Sequence, residues 1–220
     1  MTRATGGKPR LAVLASGRGS NLQAVIDAID AGTLDAGIVG VFSDKPDAAA
    51  LQRVPEALRW SRQPKTFASR DAFDAALGDA VAASEPDWII CVGYMRILGE
   101  AFVQRFRGRL LNIHPSLLPK YKGLHTHARA LEAGDAEHGA SVHFVTAELD
   151  AGAVIAQARV PVQAGDDADA LAARVLSVEH PLLLQVLRLA AAGRIAERDG
   201  QAMLDGQPLF TPLPLEFASR

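Results

Sequence analysis

The sequence predicts an α/β fold: one domain with an open, mostly parallel sheet, helices on both faces and an antiparallel addition toward the C-terminus. Three observations carry that expectation. Short apolar runs alternate with Ala-rich stretches of helical period through the first half, as parallel strands covered on both faces do. The alternation then gives way to two strands joined by a short loop. No linker-like stretch, low-complexity segment or internal repeat divides the 220 residues, a length that one α/β domain can occupy. Residues 1–220 therefore read as a single domain of Rossmann-like build, with 1–9 and 208–220 as peripheral tails.

Each element has its own signal. Leu11–Ala15 is a short apolar strand that runs into a Gly/Ser loop. Asn21–Ala31 sets Leu22, Val25, Ile26 and Ile29 on one helical face. Ile38–Phe42 is the second strand, stopped by Ser43-Asp44-Lys45-Pro46. Ala48–Leu58 has a weak helical pattern that Pro55 ends or kinks. Arg70–Ala83 is a clearer helix, with Phe73, Leu77, Ala80 and Val81 at the right period. Trp88–Val92 and Leu110–His114 are apolar strands. Ser141–Thr146 and Val154–Val162 form the antiparallel addition, joined by a loop carrying Asp150 and Gly152. Asp167–Ala192 reads as one long helix unless Pro181 breaks or kinks it. Ile195–Arg198 and Gln201–Leu204 flank Asp199-Gly200, a hairpin signal. From Pro208 the chain carries three prolines and reads as extended over the surface.

Composition excludes several function classes. Hydrophobic residues at 49% and charged residues at 22% describe a globular chain rather than a disordered one. Lys+Arg number 23 against 25 Asp+Glu, a net charge of -2, so no basic excess exists to neutralise a phosphate backbone. With aromatics at 5%, base-stacking platforms are also disfavoured. Nucleic acid is therefore not expected as a partner. A single cysteine precludes an internal disulfide framework and a multi-cysteine metal site. The polar start MTRATGGKPR lacks the apolar segment of a secretory signal, and no apolar run reaches the ~20 residues of a membrane span. Together these point to the cytoplasm, away from membranes.

Three constellations could carry chemistry. Ser16-Gly17-Arg18-Gly19-Ser20-Asn21 joins the first strand to the first helix. Glycines permit a tight turn, and backbone N–H groups at a helix start attract an anion. Ser20 or Asn21 could cap the helix. Leu22 stands where a dinucleotide fingerprint has its third glycine, and no Gly-Lys-Ser/Thr follows. The loop reads as a single-phosphate site; the alternative is a plain capped turn. In Asn112-Ile113-His114-Pro115, strand alternation sends Asn112 and His114 to one face and Ile113 to the other. Pro115 ends the strand, so both polar groups sit at its carboxyl end, where open parallel sheets bind ligands. An amide donor beside a histidine suits a developing oxyanion. Asp150, in a Gly-containing loop, is an ordinary turn residue unless it folds back on His114.

Other features are weaker. His125-x-His127 has no third ligand at a sensible spacing, so no metal site is expected. His138 and His143 flank a glycine and a strand, and His138 reads as a residue that caps or solvates a turn. Gly93–Leu98 follows a strand at the ligand-binding edge and could line a pocket or simply enter a helix. Cys91 is a core residue, and Glu179-His180 a solvated pair on the long helix.

Five segments taken together resemble the glycinamide ribonucleotide formyltransferase family. They are SGRGSNLQA from Ser16, VGYMRIL from Val92, LLNIHPSLLPKYKGLHTH from Leu110, HGASVHFV from His138 and LDAGAVI from Leu149. The resemblance runs from Leu11 to about Leu189, in order. It implies a formyltransferase fold and a purine-biosynthesis enzyme that moves a formyl group from 10-formyltetrahydrofolate to the amine of phosphoribosylglycinamide. By that resemblance Gly19, Ser20 and Asn21 contact the substrate phosphate, and Glu179 meets the glycinamide end. Asn112, His114 and Asp150 are the implied catalytic set. Met95, Arg96, Ile97, Leu98, Asn112, Thr146, Ala147, Glu148, Leu149 and Asp150 would line the folate pocket, with Arg70 nearby. The implied reaction is direct, through a tetrahedral oxyanion, without metal, with Asp150 raising the His114 pKa. The partners are then small molecules, and the chain a monomer or homodimer. Residues 53–66 depart from the family pattern, which leaves the third strand open. The rival readings are another user of 10-formyltetrahydrofolate and a non-catalytic nucleotide-binding module.

Overall fold

The computed structural model describes residues 7–215. The chain divides into two compact units, Met1–Leu111 and Asn112–Arg220. The expected α/β class, with a mostly parallel sheet and later antiparallel strands, holds.

The first unit contains β1 (Arg10–Leu14), α1 (Ser20–Asp30), β2 (Gly37–Ser43), β3 (Arg59–Ser61), α2 (Arg70–Ala83), β4 (Trp88–Cys91) and α3 (Glu100–Arg105). β1 pairs in parallel with β2 and with β4, and β2 pairs in parallel with β3. The apolar runs read from sequence are this core. Leu11–Ala15, Ile89 and Ile90 are buried, as are Leu22 and Val25 of α1 and Phe73, Leu77 and Val81 of α2. Each Val, Leu, Ile or Phe among them contributes ~1.5–3 kcal/mol over its exposed state. The buried face of α1 centres on Leu22, Val25 and Ala28; Ile26 and Ile29 sit at its margin, half-buried. Ser69 caps α2 by accepting from the Ala72 N–H at 3.1 Å.

Two expectations change here. The helix expected over Ala48–Leu58 is instead two short 3₁₀ turns, Ala49–Arg53 and Glu56–Leu58. Pro55 separates them, with no N–H to continue a ladder. The third strand does form, but only as Arg59–Ser61.

β5 (Leu110–His114) leaves the first unit, where Ile89 N donates to Arg109 O at 2.8 Å, and its last three residues open the second. There follow α4 (Thr126–Glu132), β6 (Glu137–Phe144), β7 (Val154–Pro161), α5 (Ala168–Ala191), β8 (Ile195–Arg198), β9 (Gln201–Leu204), β10 (Gln207–Pro208) and β11 (Leu213–Pro214). β6 lies beside β5 and pairs antiparallel with β7. β8, β9 and β10 make a separate antiparallel sheet, and its first turn holds Asp199 and Gly200 at φ 52 and 79, as a tight hairpin requires. α5 continues through Pro181. It is long and apolar enough to cross a membrane. Its buried face, which includes Leu171, Val175, Leu182, Leu183, Val186 and Leu187, packs on β6 and β7, and that packing accounts for the apolarity.

The expected tails need correction. Residues 1–6 and 216–220 lie outside the described residues. Within 208–215 the chain is not merely peripheral. β11 pairs in parallel with β7, and Gln185 Nε2 donates to Pro214 O at 2.9 Å.

Candidate active site

Pro115 stops β5 directly after His114, and the strand's alternation does what the sequence requires of it. Ile113 goes into the core, while Asn112 and His114 share the other face. The loop after β6 then reverses sharply. A Cβ on Gly152 would stand 1.8 Å from the Phe144 carbonyl oxygen, so only glycine fits that reversal. The reversal brings Asp150, itself at φ 47, over the end of β5.

The result is a compact polar cluster. Asp150 Oδ2 lies 3.4 Å from His114 Nδ1, with both side chains at most 8% exposed. The same oxygen accepts from the Gly123 N–H at 2.9 Å. Asp150 Oδ1 lies 3.5 Å from Asn112 Nδ2 and 3.6 Å from His143 Nε2. His143 is the residue that sequence reasoning missed. Its Nδ1 faces the Phe144 carbonyl at 2.8 Å, so Nδ1 carries hydrogen and Nε2 accepts from Asn112 Nδ2 at 3.1 Å. His143 thereby fixes which end of the Asn112 amide faces the carboxylate. Its signal was present in β6, where it shares a face with Ser141, but its partner comes from another strand.

The electrostatics correct one expectation. Asp150 does push the His114 pKa up, as expected, but the pKa ends below its ordinary value, so the carboxylate does not hold the ring charged. Burial is the largest cause; the Tyr121 carbonyl and the Asp150 charge oppose it without overturning it, and His143 and Arg129 add to the lowering. For Asp150, burial pushes the carboxyl up. The neighbouring His143 ring, the Gly123 hydrogen bond and the His114 charge outweigh it, so Asp150 sits below the usual carboxylate range.

His138 is also unlike its expectation. It is buried in β6, not solvated in a turn. Burial, then the His127 charge, pushes it down to about 4. Among the described residues no group of three or more His, Cys, Asp or Glu side chains could hold a metal ion.

Thr146, Ala147, Glu148 and Leu149 occupy the reversing loop beside Asp150. Thr146 Oγ1 donates to Glu148 O at 3.1 Å, Glu148 accepts from Lys122 Nζ at 2.9 Å, and Leu149 is exposed. Glu179 is half-buried on α5, and the cluster around Asp150 is complete without it.

The first unit carries the other expected residues. Gly19 is the residue before α1, at φ 73 in the left-handed region. No side chain caps this helix, contrary to the expectation for Ser20 or Asn21, and its first turn has no acidic residue. A helix start of this kind can take an anion. A Cβ on Gly19 would meet Ala50 Cβ at 2.8 Å. Ala50 N donates to Gly17 O at 3.0 Å and Arg53 Nε to Arg18 O at 2.8 Å, which pins the loop from its far side.

Ser16 ties that loop to the segment after β4. Its Oγ donates to the buried Asp44 carboxylate at 2.5 Å and accepts from Met95 N at 2.9 Å. Met95 and Ile97 are 60% and 51% exposed, and Leu98 is buried. The Arg96 guanidinium lies over the Phe73 ring at 4.8 Å. Arg70 donates to the Ile97 carbonyl. Two exposed apolar side chains beside fixed backbone polar groups can take a flat, partly polar ring. The structure thus brings Arg70 to the Met95–Leu98 segment.

Known proteins resemble this chain over most of its length. The formyl transferase family matches residues 9–187. The phosphoribosylglycinamide formyltransferase of Escherichia coli (strain K12) is 50% identical over 201 residues, 90% of this chain and 95% of that protein. The structure of the phosphoribosylglycinamide formyltransferase of Coxiella burnetii, in complex with CHES, superposes with a TM-score of 0.89 at 43% identity, covering 95% of this chain and all of that one. A formyltetrahydrofolate deformylase from Pseudomonas syringae reaches a TM-score of 0.80 at 26% identity, with 90% of this chain on 66% of that one.

Proposed function

The chain belongs to the formyl transferase family, and from that premise we infer that it transfers the formyl group of 10-formyltetrahydrofolate to the amine of 5-phosphoribosylglycinamide. The products are formylglycinamide ribonucleotide and tetrahydrofolate, a step of de novo purine biosynthesis. The observation that carries this reading is 50% identity along nearly the whole length of a phosphoribosylglycinamide formyltransferase. The deformylase reading has less support, because that likeness stops at 26% identity and two thirds of the other chain.

Bound folate supplies the formyl carbon that the substrate amine attacks. The new C–N bond gives a tetrahedral oxyanion, and the bond to the folate nitrogen then breaks. Asn112 Nδ2 donates to that oxyanion, and the His114 ring stabilises it by taking up positive charge. The Asn112 contact to Asp150 is its loosest, at 3.5 Å, and is the one an oxyanion can replace. Burial keeps His114 neutral in the free protein near pH 7. A negative charge forming beside the ring adds to that of Asp150 and raises the ring's proton affinity as the intermediate develops. Asp150, held ionised, favours the charged ring as the oxyanion forms and orients the water through which the amine proton passes to the leaving nitrogen. The Gly19–Asn21 helix start takes the phosphate, and Met95–Leu98 with Thr146–Leu149 contact the folate. Arg70 orders the Met95–Leu98 segment by holding Ile97 O, and Glu179 takes the glycinamide end.

Residues 1–220 act as one formyltransferase domain, a reading supported by a family match that runs across both compact units. The chain works in the cytoplasm on small molecules, which its single cysteine and charge balance favour, and its oligomeric state is monomer or homodimer. The test is formyl transfer followed by absorbance as deformylated folate appears. Product must depend on added phosphoribosylglycinamide. Folate turnover at the same rate without that acceptor would favour hydrolysis instead.

A further inference from the structure

The carbonyl oxygen of Tyr121 lies 2.9 Å from His114 Nε2. A carbonyl only accepts, so Nε2 carries hydrogen. The other neutral tautomer would donate from Nδ1 to Asp150, 3.4 Å away. It would also set the Nε2 lone pair against the carbonyl oxygen at 2.9 Å, two acceptors face to face. The Nε2–H form also sets a lone pair against an acceptor, the Asp150 carboxylate, but at 3.4 Å rather than 2.9 Å, so the shorter contact to the carbonyl weighs more on which ring nitrogen keeps its lone pair.

That carbonyl belongs to a residue at φ 56, in the left-handed region that non-glycine residues avoid. Several bonds hold it there. The Tyr121 phenol donates to Asp135 Oδ2 at 2.8 Å. Lys120 Nζ donates to both Asp135 oxygens at 2.9 Å. Asp135 sits in the turn after α4, where its N–H donates to Ala130 O at 3.1 Å. Lys120 and then Tyr121 hold its carboxyl below the usual range, so it is an ionised acceptor. Ser116 Oγ donates to Lys120 O at 2.7 Å, and the Arg129 guanidinium lies 5.2 Å from the Tyr121 ring centre.

We propose that Tyr121 and Asp135 are positioning residues for the transfer reaction. Their phenol–carboxylate clamp holds the Tyr121 carbonyl where it keeps His114 in the Nε2–H form and turns the free Nδ1 lone pair to Asp150. The role of His114 itself rests on the proposed function; the choice of tautomer does not. Without the clamp the carbonyl moves, and the Nδ1–H form gains a carboxylate acceptor. The groups facing the ring, Asp150, His143 and Arg129, are unchanged by either substitution below.

The test uses the full chain labelled with ¹⁵N-histidine, without ligands, at about pH 8.5, well above the ~6.5 of an ordinary histidine. The His114 ring is assigned by its absence in His114→Asn. The parent shows Nε2 as the hydrogen-bearing nitrogen. In Tyr121→Phe and Asp135→Ala the pattern moves toward Nδ1–H. Asp135→Asn keeps an acceptor for the phenol and stays close to the parent. In the transfer assay, Tyr121→Phe lowers kcat about tenfold, within the ~10²-fold that a 1 Å misplacement can cost. Both KM values stay within about twofold, as expected when ground-state binding is untouched. A parent ring already in the Nδ1–H form overturns the proposal, as does an unchanged pattern in both Tyr121→Phe and Asp135→Ala. An inactive parent whose ring responds as described supports the clamp and counts against the functional reading alone.

Discussion

The Gly17–Asn21 loop and the Asn112–His114–Asp150 cluster are both polar, and they are built in opposite ways. The loop is backbone. Its key residue has no side chain, its helix start has no cap, and its shape is set by a left-handed glycine against Ala50. The cluster is side chain. Each member has its donors and acceptors assigned by a neighbour: Asn112 by His143, Asp150 by Gly123, His114 by the Tyr121 carbonyl. A backbone site suits an anion of fixed charge, which needs only partial positive charge at the right distance. A side-chain site suits a group whose charge changes during reaction, because its donors must be aimed in advance. Substitutions should therefore separate the two, one acting on KM and the other on kcat.

Asn112→Ala should give the largest effect. It removes an aimed donor and leaves His143 Nε2 without one, and kcat should fall ~10²–10³-fold with circular dichroism unchanged. Activity within threefold of the parent, on the order of 0.6 kcal/mol, would remove Asn112 from the oxyanion role.

Gly19→Val tests the other half. Its Cβ has no room beside Ala50 and its φ is strained. The KM for the ribonucleotide should rise about 30-fold, the equivalent of the ~2 kcal/mol that a helix start can offer an anion. Folate KM should change far less. Equal rises in both constants would show that the loop is a scaffold rather than a phosphate site.

Ser16→Ala asks whether the loop and the Met95–Leu98 segment depend on one another. The hydroxyl bridges Asp44 and Met95 N, so its loss leaves a buried carboxylate without that donor. A stability loss of about 1–3 kcal/mol is expected, read as about 2–4 °C per kcal/mol in a chain of this size. Folate KM should rise more than kcat falls. An unchanged melting temperature would mean that another group replaces the bridge.

How much of this was legible in the sequence follows from the range of the interactions. Apolar runs and helical periods report local structure, so the strands, α2 and the unbroken α5 could be read directly. The shared face of Asn112 and His114 follows from alternation alone. β3 could not be read, because a three-residue strand among 3₁₀ turns has no period. β11 is held by pairing with β7, more than fifty residues earlier, and nothing local in Leu213–Pro214 announces it. His143 lies in an apolar strand and gains its role only when β6 packs beside β5. The direction of the His114 pKa was misjudged for the same reason: a charged neighbour is visible in a motif, and burial is not.

The balance of burial against charge at His114 carries the smallest expected effect and the sharpest question about the cluster. Burial lowers the His114 pKa below its ordinary value, and Asp150 opposes burial. In Asp150→Asn the opposing charge is gone while size and some hydrogen bonding remain, so the midpoint should move lower still. The ring of the parent is charged only below its folded pKa and loses that charge as pH rises through it. Between that pKa and the unfolded ~6.5 the unfolded chain binds more protons, so this histidine's contribution makes stability fall as pH falls. Removing Asp150 extends that window downward. Asp150 itself has the opposite sign of shift, and the stability it contributes is present above the unfolded ~3.9 and lost as pH falls through its depressed pKa. Titration of the His114 ring by NMR in the two proteins, without ligands, reads the first effect free of the second. A lower midpoint means that Asp150 already acts on the ring before substrates arrive. An unchanged midpoint means that 3.4 Å in the free protein is geometry without electrostatic coupling, and that Asp150 begins to matter only when the oxyanion forms.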